Sequence, residues 1–126
     1  MTRPKILAIA LTASFAASLA ITTTAEAASP NGTWLRSKTG GHIKVFTCKG
    51  GLGMRVVKSK SSKKVGKVIM CGAKKTSANR WDGTVKNLDD GKLYKGIVKL
   101  QGSKLTLSGC VLGGIFCTSE AWSRLK

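Results

Sequence analysis

Beyond residue 28 the chain nowhere repeats its apolar residues at the helical period; short runs rich in Val, Ile, Thr and aromatics follow one another, separated by glycine-containing punctuation. That pattern is what consecutive antiparallel strands leave in a sequence. It restricts the fold to an all-β antiparallel meander. Eight strands are predicted, over Thr33–Lys38, Ile43–Cys48, Met54–Lys60, Lys67–Cys71, Arg80–Lys86, Lys92–Leu100, Lys104–Leu112 and Ile115–Arg124. The later strands alternate most cleanly. Tyr94, Gly96, Val98 and Leu100 share one face against Leu93, Lys95, Ile97 and Lys99, and Leu105, Leu107, Gly109 and Val111 oppose Lys104, Thr106 and Ser108. One face suits a core and the other, basic face suits water. The connections Asp89-Asp90-Gly91, Gln101-Gly102-Ser103 and Gly113-Gly114 are hairpin-sized and supply the glycine that positive φ requires. Closing such a meander into a small up-and-down barrel removes its exposed edges. Gly83, Gly96 and Gly109, inside strands, suit the bends that closure demands.

The first 27 residues read differently. Arg3 and Lys5 precede an apolar run from Ile6 to Ile21, and Ala25-Glu26-Ala27 follows it. This is the order of a secretory signal peptide, with cleavage expected after Ala27 and a single domain over 28–126. An uncleaved anchor would want about 20 consecutive apolar residues, and Thr12, Ser14 and Ser18 dilute this run. The mature chain is therefore expected in the periplasm of a bacterium or secreted from it, with no transmembrane span. Removing the leader takes the net charge from +17 to +16, because Arg3, Lys5 and Glu26 leave 20 basic residues against Asp82, Asp89, Asp90 and Glu120.

At the two ends of the meander stand Gly32-Thr33-Trp34 and Trp122-Ser123-Arg124. In a closed barrel the first and last strands pair, so the Arg124 guanidinium can stack on the Trp34 indole and plug one mouth. The arrangement resembles that of the calycin barrels, which include lipocalins, fatty-acid-binding proteins and avidins. The whole of residues 31–125 also resembles a family of small exported bacterial proteins, domain of unknown function 2147. The matching pieces, in order, are Gly32-Thr33-Trp34, Cys48, Leu52 with Arg55-Val56-Val57, Gly66-Lys67 leading to Cys71, Trp81-Asp82-Gly83, Asp90-Gly91-Lys92-Leu93-Tyr94-Lys95-Gly96, Leu105-Thr106-Leu107-Ser108-Gly109-Cys110, and Cys117 with Trp122-Ser123-Arg124. Gly53-Met54 depart from the pattern, which usually has a further cysteine there. The resemblance implies a lipocalin-like barrel and export, and names no activity.

Four cysteines in an exported chain favour two disulfides, for which three connectivities exist. A two-residue turn at Gly113-Gly114 sets Cys110 opposite Cys117, at a spacing a disulfide tolerates. Cys48 is then left to pair with Cys71.

Candidate contact residues are few in kind. Lys58, Lys60, Lys63, Lys64 and Lys67, together with Lys74 and Lys75, fall in two polar stretches read as loops, 58–67 and 72–79. They can neutralise phosphates or carboxylates, though no aromatics interleave to stack bases. An anionic surface is the expected partner: lipopolysaccharide, anionic lipid, an acidic glycan or extracellular DNA. Lys92 and Tyr94 fall on one strand face after the Asp90-Gly91 turn and are either a polar pair at a pocket mouth or parts of an ordinary hairpin. His42 stands alone, adjacent Asp89 and Asp90 would point to opposite sides of a strand, and no nucleophile-and-base pattern, phosphate loop or zinc spacing is present. No enzyme, metal or cofactor is expected. The protein reads as a non-enzymatic barrel that binds an anionic partner through its basic face, or alternatively as a calycin-like carrier of a small apolar ligand. A solid core around Trp34, Val98 and Leu107 would exclude the carrier.

Overall fold

The computed structural model describes residues 29–126; the expected leader, 1–27, lies outside them. Eight antiparallel strands close into one barrel in chain order: β1 (Gly32–Arg36), β2 (His42–Cys48), β3 (Gly51–Lys58), β4 (Val68–Ser77), β5 (Arg80–Lys86), β6 (Leu93–Gln101), β7 (Lys104–Val111) and β8 (Phe116–Arg124). The seam is made by β1 and β8, with Trp34 opposite Arg124 and Arg36 opposite Trp122. Among the described residues no helix is long and apolar enough to cross a membrane, a statement that bears on helices alone.

Three connections differ from the sequence expectation: β3 runs over Gly51–Lys58 rather than Met54–Lys60, because Lys49 and Gly50, both at positive φ, turn the chain by themselves, and two others differ for local backbone reasons. The stretch 72–79 is not a loop, because β4 continues to Ser77. Its apparent stop signal, Gly72, has φ of +81°. Between Met70 and Ala73 it absorbs one extra residue against Leu52 and Met54 of β3, so it marks a bulge through which the strand runs on. Lys74 and Lys75 consequently stand on a strand. The β7–β8 connection is likewise longer than a two-glycine turn. Val111 pairs with Phe116, and Leu112–Gly114 form a 3-10 turn followed by Ile115, so Leu112 and Ile115 belong to the loop. Cys110 still faces Cys117 across the ladder.

The disulfides join Cys48 to Cys71 and Cys110 to Cys117. The core is built from the inward residues of all eight strands, among them Trp34, Ile43, Met54, Met70, Val98, Leu100, Leu105 and Trp122. Burying each such aliphatic side chain contributes about 1.5–3 kcal/mol. Two glycines admit a close approach of core side chains to the wall. Gly83 and Gly96 face each other across β5 and β6. A Cβ on Gly96 would stand 2.5 Å from the Met70 Cε, and one on Gly83 2.8 Å from the Ala73 Cβ.

Candidate functional site

The barrel has two unlike ends. The closed end carries the short β2–β3, β4–β5 and β6–β7 turns and both described termini. There Arg124 lies 4.4 Å from the Trp34 ring centroid and donates to the carbonyls of Asn31 and Ser29 at 2.9 and 2.7 Å. The Trp34 indole N–H donates to the Pro30 carbonyl at 2.8 Å. Gly32 must be glycine here, because a Cβ would come within 2.2 Å of the Lys126 carbonyl oxygen. Lys75 covers a second indole, its Nζ 5.7 Å from the Trp81 ring. It is therefore part of the plug at this end, while Lys74 sits opposite Asp82 on the ladder.

The other end is open. A cavity of about 380 Å³ enters between the β1–β2, β3–β4 and β5–β6 loops, at the small end of the range for ligand sites. Its floor is apolar, formed by Ile43, Val56, Ile69, Val85, Leu107 and Trp122. Trp34 and Val98 lie deeper and pack solidly, so the interior is filled at one end and hollow at the other. Gly109 explains part of the hollow: a Cβ there would touch only the Tyr94 Cβ, at 3.8 Å.

The charged lining is mostly basic, with Lys38, Lys58, Lys64 and Lys86 and the acidic Asp89 in or beside the loops, and with Arg36 and Glu120 lower down, opposite the floor residues Trp122 and Leu107 on the ladders. Glu120 is held by both ends of the Arg36 fork, at 2.6 and 3.0 Å, and by the Trp122 indole N–H at 2.8 Å. Burial pushes its carboxyl pKa up, but these hydrogen bonds and the nearby Lys38 charge prevail and hold it below the usual value. Lys64 pairs with Asp89 and so ties the β3–β4 loop to the β5–β6 loop. Among the described residues neither Lys58 nor Lys86 has a carboxylate within ion-pair distance. A smaller recess of about 200 Å³ shares Thr39, Gly41, Ser59 and Lys64 with the cup and adds Lys60 and Ser61.

The β5–β6 loop is tightly made. Asn87 Oδ1 accepts from the Asp89 N–H and Asp90 Oδ1 from the Lys92 N–H, each at 2.8 Å, and the Tyr94 hydroxyl donates to Asp90. The bonds from Tyr94 and Lys92 lower the Asp90 pKa, and the same contact raises that of Tyr94. Tyr94 lines the cup, whereas Lys92 does not. Of the lysines singled out from the sequence, Lys58 and Lys64 reach the cup and Lys60 the recess beside it; Lys63 and Lys67 stay in the β3–β4 segment outside it. Arg36, Lys38, Lys86 and Glu120 escaped the sequence reading. Arg36 and Glu120 are 84 positions apart and meet only through closure of the β1–β8 seam.

The family model described as "Uncharacterized protein conserved in bacteria (DUF2147)" matches residues 32–124, the entire barrel from the first residue of β1 to the last of β8. The chain belongs to the DUF2147 family. No curated protein and no solved structure matches it. In this DUF2147 barrel, then, the cup and its rim carry the functional argument. Among the described residues no three His, Cys, Asp or Glu side chains gather as a metal site would require.

Proposed function

We propose that this DUF2147 protein is an exported, non-enzymatic barrel whose cup binds a small amphiphilic anion, with the apolar body against the floor and the charged head among the rim lysines. The observation that carries it is the pairing of an apolar floor with Lys58 and Lys86, two rim cations without a carboxylate partner. Each buried methylene would contribute about 0.8 kcal/mol and each hydrogen bond to a charged head about 1.5–3 kcal/mol. Neither half of the site suffices for a specific ligand; together they select molecules that have both parts. Export is supported by the leader-like first 27 residues and by two disulfides, which persist in oxidising compartments.

Calorimetric titration with dodecanoate, dodecanol and dodecylamine tests the reading. Dodecanoate is expected to bind roughly tenfold or more tighter than dodecanol, the margin of one charge-assisted hydrogen bond. The advantage should shrink with added salt and in Lys58→Ala/Lys86→Ala, and the amine should not bind. Equal binding of dodecanoate and dodecanol, or binding of neither, would refute it.

A further inference from the structure

Hairpin tips are ordinarily polar, and the β7–β8 tip is not. Leu112, Ile115 and Phe116 are 69%, 75% and 62% exposed, with Val111 beside Phe116 on the ladder. Alternation places Val111 and Phe116 on the strand face that holds Leu105 and Trp122 in the core, then Gly109 and Thr118 in the cup. The apolar wall thus continues past the mouth into solvent. Further exposed apolar residues, Val65 and Leu93, lie at the same end, in the β3–β4 loop and at the start of β6. Lys60 and Lys63 in the β3–β4 loop and Lys92 in the β5–β6 loop stand at the same end, none with a carboxylate partner among the described residues.

We propose that the open end of the barrel docks on an anionic lipid bilayer, with the β7–β8 tip entering the headgroup boundary and the loop lysines against lipid phosphates. Apolar side chains and lysines at one end match the two attractions such a surface offers, a shallow apolar phase and negative charge. A second copy of this chain fits worse. Two mouths face to face would bring lysine loops together on domains that each carry +16 over residues 28–126. The tip is also shaped in advance, since the Cys110–Cys117 disulfide closes the hairpin immediately behind it. The proposal goes beyond the cup reading and does not rest on it.

Co-sedimentation with vesicles of pure phosphatidylglycerol and of pure phosphatidylcholine is the test. Binding is expected to phosphatidylglycerol alone and to weaken with salt. Ile115→Ser/Phe116→Ser should weaken it roughly tenfold or more, and Lys60→Ala or Lys63→Ala about fivefold each. Unchanged dodecanoate binding in the serine variant separates tip from cup. Should that variant not fold, Ile115→Trp gives a second reading: its added emission is expected to shift to the blue with phosphatidylglycerol vesicles. No binding to phosphatidylglycerol by the parent protein overturns the proposal. So does undiminished binding by the serine variant, an unshifted Ile115→Trp emission, or a dimer that the serine variant splits.

Discussion

Arg124 joins the first and last described segments of the barrel at the closed mouth, through its stack on Trp34 and its bonds to Asn31 and Ser29. Arg124→Ala is expected to cost about 1–2 kcal/mol in thermal unfolding. Arg124→Lys should restore little, because an ammonium lacks the planar fork that serves both carbonyls and the indole. Glu120 has a depressed carboxyl pKa, so its ion pair with Arg36 stabilises the fold above the unfolded carboxyl pKa, about 4.3, and fades as pH falls through the lower folded value. Between pH 5 and 3, roughly the window in which glutamates titrate, the melting temperature should fall more steeply in the parent than in Glu120→Gln. A parallel fall in both would show that the pair contributes nothing. Gly109→Leu, whose Cβ would touch only the Tyr94 Cβ and whose branch would extend into the cup, should leave the barrel folded while abolishing dodecanoate binding.

At the scale of elements, the disulfides differ in the loops they close, with sequence separations of 23 and 7. Chain-entropy loss then ranks them: removing Cys48–Cys71 should cost about 3.5 kcal/mol and removing Cys110–Cys117 about 2.5 kcal/mol. Urea unfolding of the two double-serine variants measures both, and a reversed order would mean that native-state contacts outweigh loop length. Much of the architecture was legible in the sequence because strand alternation is local: Arg80–Lys86 is predicted to the residue, and β6 and β7 to within one at each end. The failures share a cause. Glycine signals φ without saying whether the chain turns or bulges, so Gly72 reads as a stop although β4 runs through it. The apolar tip was legible in principle, since Val111-Leu112-Gly113-Gly114-Ile115-Phe116 puts large apolar residues around a turn where polar ones belong. The cup was not. Its floor residues look like any other inward positions, and only the closed barrel shows that the space beside Gly109 and Thr118 belongs to a cavity rather than to the packed core.

For the whole molecule, net charge and hollow interior act on one another. The four acidic residues of the barrel all accept a side-chain hydrogen bond, Asp82 from Arg80, Asp89 from Lys64, Asp90 from Tyr94 and Glu120 from Arg36. The surplus cations repel each other in the compact state. Raising ionic strength from about 0.01 to 0.15 M shortens the screening length from about 30 to 8 Å and should raise the melting temperature of the free protein. The same salt should weaken dodecanoate binding, so stability and affinity are expected to move in opposite directions. The cup is the centre of this account, and a crystal structure grown with dodecanoate tests it most directly. The alkyl chain is expected against Ile43, Val56, Val85, Leu107 and Trp122, with the carboxylate within hydrogen-bond reach of Lys58 or Lys86. An empty cup with dodecanoate bound elsewhere, or a carboxylate turned away from both lysines, would contradict it.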